Sequence, residues 1–120
     1  HTWGEGSFMA VGNVCPESYV LRSIREEIED NAPLLMEDIE ASGFTLDTSN
    51  SLKRTPKGFS VAPEYEHLLR MREMLLVKPL TSEWFMQPDW LELTADAFSR
   101  TRPFVERINR AIEYAYEEYR

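Results

Sequence analysis

Cysteine is nearly missing from this 120-residue chain and histidine is almost as scarce: Cys15 stands alone, and the two histidines are His1 and His67. A lone cysteine excludes an intrachain disulfide and fits a reducing compartment, so the cytoplasm is the expected location. With no second interior histidine, no HExxH pair and no paired cysteines, a zinc-type ligand set cannot be assembled. The acidic residues Glu26, Glu27, Glu29 and Asp30 lack the glycine-centred spacing of a calcium loop, and no metal site is expected. The phosphate cradle GxxxxGK[ST], the dinucleotide fingerprint GxGxxG and the nucleophile elbow GxSxG are all absent, so no cofactor is expected either. Nor does any apolar run approach the ~20 residues that cross a bilayer, and the opening HTWGEGSFMA has no basic region followed by an apolar stretch. The expectation is a soluble protein with no membrane partner.

Positive charge is the other shortage. Lys and Arg number 13 against 21 Asp and Glu, a formal net charge of −8. Such a field repels phosphate backbones at long range, and nucleic acid is not an expected partner. The densest acidic runs, REEIED and YEEYR, read as solvated helix faces. Against that background LKRTPKGFSV, residues 52–61, is an anomaly, because Lys53, Arg54 and Lys57 crowd around a Pro-Lys-Gly turn.

What is present is mostly apolar periodicity punctuated by proline. FMAV between Gly6 and Gly12 predicts a strand over about 7–11. Val20, Leu21, Ile24 and Ile28 recur at helical spacing behind Pro16, predicting a helix over 17–30, and Asn31 with Pro33 restarts a second helix over 33–42 that stops at Gly43. FTLD and SLKRT flank a Thr-Ser-Asn link with strong turn chemistry, so strands over 44–47 and 51–55 are expected to form a hairpin. A short helix over 64–72 follows. MLLVKPL suits a buried strand over 74–78, Thr81 or Ser82 can cap a one-turn helix through Trp84 and Phe85, and Pro88 and Pro103 open helices over 88–101 and 103–119. The expected fold class is α+β, a small antiparallel sheet packed against helices in a single domain, residues 1–120.

The order LKRTPKGF, then Leu68-Leu69-Arg70, then MLLVKPLTSEWF and PDWLELTADAFSRTRPFVERIN resembles the C-terminal half of the family catalogued as domain of unknown function 2461. The CPE of residues 15–17, opening a helix that contains IREEI after a glycine-containing strand, is similar to its middle. The resemblance implies an α+β domain with no established biochemical activity. It also implies a further N-terminal portion with no counterpart before His1, so the chain is expected to be the C-terminal part of a longer family domain. In that case the 7–11 strand lacks a neighbour.

The favoured functional reading is a non-catalytic module that binds a protein partner or a small anionic ligand through Lys53, Arg54, Lys57 and Gly58, the glycine N–H groups and the cations converging on one anion. Strand alternation argues against full convergence, since Lys53 and Arg54 point to opposite faces. No catalytic residue is assigned. Cys15 lies before a helix start but has no base in reach by sequence, and His67 reads as an ordinary helix residue. The alternative of an enzyme places its acid–base group at Glu17 or Glu64. A third reading, a structural or homo-oligomeric protein, follows from the open strand edge and from the wide apolar stripe of the last helix. Trp84, Phe85, Trp90 and Phe98 are expected to pack as core between the one-turn helix and the C-terminal pair, the alternative being a pocket that they line with Met86.

Overall fold

The computed structural model describes residues 7–13 and 16–119, and the expectations attached to His1 and Cys15 lie outside the described residues. The apolar run Met74–Leu80 becomes the middle strand, β3, of a three-stranded antiparallel sheet in the order β1-β3-β2, where β1 is Ser7–Asn13 and β2 is Thr45–Leu46. Alternation sends Met74 and Leu76 fully inward, as the period of two requires. β1 pairs along the whole of β3, from Ser7↔Leu80 to Asn13↔Met74. Helices α1 (Ser18–Ser42), α2 (Glu66–Leu69, entered through a 3-10 turn at Pro63–Tyr65), α3 (Ser82–Met86), α4 (Trp90–Ser99) and α5 (Arg102–Glu118) complete an α+β fold.

The two helices expected over 17–30 and 33–42 run as one, α1, with a kink. Asn31 leaves helical geometry at φ −137° and ψ 32°, and Pro33, which has no N–H and whose ring crowds the carbonyl four residues back, accounts for the break. The Asn31 side chain donates to Glu27 at 2.9 Å. Val20, Ile24, Ile28, Ala32, Leu35 and Ile39 nevertheless stay on one buried stripe across the kink. At the far end the Ser42 hydroxyl donates to the Ile39 carbonyl at 2.6 Å and accepts from the Phe44 N–H at 3.0 Å, turning the chain into β2.

The expected hairpin does not form. Instead Thr45↔Val77, Leu46↔Leu76 and Ser51↔Met71 all lie in one antiparallel register, so residues 45–46 and 51 run along the same edge of one continuous partner. Between them the Ser49 N–H donates to the Asp47 carboxylate at 3.0 Å, a local turn that steps the chain outward without reversing it. That backbone hydrogen bond holds the Asp47 carboxyl below its ordinary pKa. The strand expected over 51–55 is therefore reduced to one bridge, and the helix expected over 64–72 ends at Leu69 because residues 70–72 are needed to pair with it.

α5 lies against α1 with Phe104, Ile108, Ala111 and Ala115 buried. The contact is tied by polar groups as well: Ser23 donates to the Ala111 carbonyl at 2.6 Å, and the Arg107 guanidinium donates to Asp38 at 2.7 Å and to Glu27 at 3.1 Å. All three side chains of the ion-pair set are largely enclosed, at 16%, 23% and 16% exposure for Arg107, Glu27 and Asp38. Hydrogen bonding to Asp38, with a smaller share from Glu27, holds the Arg107 pKa above its ordinary value in spite of burial.

Two stability outcomes follow. Gly12 sits at φ +144°, and a Cβ there would run into the Met74 carbonyl across the β1–β3 pairing, so Gly12→Ala should cost about 3 kcal/mol in urea unfolding. Arg107→Met, which strands two enclosed carboxylates, should cost about 2 kcal/mol, and adding Glu27→Gln with Asp38→Asn should recover part of that loss. An Arg107→Met protein as stable as the parent would show that the triad contributes nothing.

Candidate functional site

The basic turn is held at two points. Leu52 donates its N–H to the Arg70 carbonyl at 2.7 Å and Arg72 donates to the Asn50 carbonyl at 3.3 Å, anchoring the segment just before Lys53. Beyond the turn, the Ser60 N–H donates to the Glu29 carboxylate on α1 at 2.7 Å. Between these anchors Lys53, Arg54, Lys57 and Gly58 are exposed, and Gly58 takes φ 91°, a left-handed value that favours glycine in the Lys57-Gly58 turn. Among the described residues none forms an ion pair with Lys53, Arg54 or Lys57.

The ladder beside the turn encloses space. An open groove of about 450 Å³ runs between the start of α1 and the 50–52 segment, lined by Pro16, Ser18, Leu21, Arg25, Asn50, Leu52 and Arg72. None of Lys53, Arg54, Lys57 and Gly58 lines it. The chain reaches Lys53 directly from the groove wall at Leu52, so the basic run begins at its rim.

Arg25 and Arg72 are the groove residues that sequence reasoning missed. Arg25 was concealed in the acidic run REEIED, yet it falls four residues after Leu21, on the flank of the apolar stripe, which is the signal that marks it as partly enclosed. Its Nε–H donates to the Leu69 carbonyl at 3.0 Å and its Nη2 group to the Met71 carbonyl at 3.2 Å. Carbonyls orient a guanidinium without neutralising it. Among the described residues no carboxylate pairs with Arg25, and burial pushes its pKa down. A second guanidinium adds to this: the Arg70 Nε is buried without a hydrogen-bond partner among the described residues. At the groove's other wall α1 begins, and Glu17 at its N-cap position makes no side-chain cap bond.

The remaining candidates are placed differently. Glu17 and Glu64 are exposed, and neither lines the groove. His67 is half-buried in α2, and among the described residues no cluster of His, Cys, Asp and Glu is arranged to hold a metal ion. The acidic run lines a separate groove of about 460 Å³ between α1 and α5, which includes Glu26, Glu27, Glu29, Asp30, Arg110 and Tyr114. Its three glutamates are engaged: Glu26 by the Tyr119 hydroxyl at 2.6 Å, Glu27 by Asn31 and Arg107, and Glu29 by the Ser60 N–H. Trp84 is half-buried and packs against the core and Trp90 is half-buried, whereas Phe85, Met86 and Phe98 are exposed, so the aromatic core expected at this end forms only in part.

The bond to Glu26, together with some burial, lifts the Tyr119 phenol to about 12, and a folded-state value raised in this way stabilises fully below the ordinary tyrosine range near 10 and is lost as pH climbs through about 12. In an alkaline absorbance titration one tyrosine should therefore ionise late, and Glu26→Gln should return it to the ordinary range. An unchanged curve would mean the bond does not hold in solution.

A family model described as a conserved hypothetical protein (DUF2461) matches residues 1–106, a span that runs from the start of the chain into α5. No curated protein and no solved structure matches the chain.

Proposed function

The chain belongs to the DUF2461 family, and from that premise we propose that it is a binding module for a small anionic ligand, a carboxylate or phosphate compound, seated in the groove between the start of α1 and residues 50–52. The family description carries no activity, so the reading rests on the groove. One observation carries it. Arg25 is a partly enclosed cation whose hydrogen bonds go to two backbone carbonyls and not to an acid, in a chain whose net charge is −8.

A guanidinium removed from water and left without a counter-charge is costly, and an anion arriving in the groove supplies the missing charge. Arg25 has N–H groups left over after its two carbonyl bonds, and Arg72 stands on the same groove. The first-turn N–H groups of α1 add a favourable dipole for negative charge. Lys53 and Arg54 are exposed at the rim, where charges act on encounter more than on residence, and Lys57 with Gly58 lies further out along the same basic turn. On this reading the ligand sits beside the basic turn and not on it. It is a reading of binding without chemistry, in line with Glu17 and Glu64 being exposed outside the groove.

Titrating the full chain with inorganic pyrophosphate and with citrate, followed by amide chemical shifts, tests it. Saturable shifts are expected at residues 18–25, 50–54 and 70–72. Arg72→Ala should weaken binding by about tenfold, the share of one charge-assisted hydrogen bond, while Lys53→Ala, Arg54→Ala and Lys57→Ala together should chiefly flatten its salt dependence. Equal affinity in the parent and the Arg72→Ala protein, or no saturable shift with either anion, would overturn the proposal.

A further inference from the structure

The other end of the molecule carries the opposite chemistry. Met86 is 80% exposed, Leu91 66% and Phe85 41%, three large apolar side chains within seven residues. They are held outward by what faces inward. The Thr81 side chain caps α3 by accepting from the Trp84 N–H, and the Trp84 indole N–H donates to the Thr94 hydroxyl at 3.0 Å, while that hydroxyl donates to the Trp90 carbonyl at 2.7 Å. Trp84 thus clamps α3 to α4 on the side that faces the end of α1, where it shares a groove with Ser42, Gly43 and Ala97. On the outside Phe85 and Trp90 stack edge to face with centroids 5.4 Å apart, flanked in sequence by Met86 and Leu91.

Along α3 and α4 themselves the charge has one sign, the cations Lys78 and Arg100 lying at the groove behind Trp84. From Thr81 to Ser99 the chain carries Glu83, Asp89, Glu92 and Asp96 and neither lysine nor arginine. Asp96 is taken by Arg100 at 2.9 Å, and among the described residues Glu83, Asp89 and Glu92 form no ion pair. We propose that the outer face of α3 and α4 is a docking surface for a basic amphipathic protein segment, its apolar side chains meeting Phe85, Met86 and Leu91 and its lysines or arginines meeting Glu83, Asp89 and Glu92. Charge complementarity selects this occupant. An anionic lipid surface is repelled by the acidic rim, and a second copy of the chain would bring the same acidic rim to the contact. Exposed methionine suits a surface that must adapt to a partner's side chains, and a tryptophan beside it supplies the large buried contact that dominates such interfaces. This surface is independent of the anion groove.

The test uses the full chain, isotopically labelled, and a synthetic amphipathic helix of leucine and lysine, with a leucine–glutamate helix of the same apolar face as its counterpart. Amide shifts centred on residues 82–94 are expected with the lysine helix and not with the glutamate helix. Met86→Ala with Leu91→Ala should weaken binding about tenfold with circular dichroism unchanged. Glu83→Gln with Glu92→Gln should weaken it and reduce its salt dependence. The proposal is overturned if the shifts centre on the acidic groove of α1 and α5, if neither pair of substitutions alters affinity, or if the glutamate helix binds equally. It is likewise overturned if the patch binds phosphatidylglycerol vesicles instead of the lysine helix, or if sedimentation shows self-association that the Met86 and Leu91 substitutions abolish.

Discussion

Strand β3 has a neighbour on each side, and that double pairing constrains nearly everything else. β1 occupies one edge for its full length and β2 part of the other, and past the Asp47 turn the same register is taken up ahead of β3 by Ser51 opposite Met71. Because residues 70–72 are committed to that second pairing, α2 stops early, and the carbonyls of Leu69 at its end and Met71 just beyond it are presented to α1. Arg25 takes them. The anion groove is thus a by-product of sheet register, one wall from a helix start and the other from an interrupted strand edge.

Two arginines on this scaffold show how neighbours decide what a residue is for. Arg107 meets two carboxylates contributed by α1, and the set of three closes on itself as a fastening between the longest helices. Arg25 meets carbonyl oxygens, keeps its charge unanswered and faces a groove. Burial raises the cost of charge in both places. Only in the first is the balance met within the described chain.

Much of the scaffold was legible in the residues. The stripe from Val20 to Ile39, the stop at Gly43, the apolar strand expected over 74–78 and running on to Leu80, the Thr81 cap, and the prolines before α4 and in the first turn of α5 are local signals, and local physics reads them directly. The hairpin was misread because Thr-Ser-Asn has turn chemistry in either a reversal or a sidestep, and the Ser49 bond to Asp47 that selects the sidestep depends on β3 being present to hold Asp47. The groove was legible only in part. Lys53 and Arg54 advertise themselves in an acidic chain, whereas Arg25 and Arg72 become neighbours only when the 50–52 and 70–72 segments pair. At the opposite end, aromatic content suggested core, yet Phe85 and Met86 stand on a five-residue helix whose inner side is already filled by Trp84.

Pro79 sits near the end of β3, after the last residue that β2 reaches, with Lys78 beside it. A proline has no N–H to offer an incoming strand, and a lysine tolerates poorly being sandwiched between stacked sheets. The stretch of β3 left uncovered on that side is therefore a bad template for growth into fibrils. A short strand β2 can be tolerated there without exposing a sticky ledge.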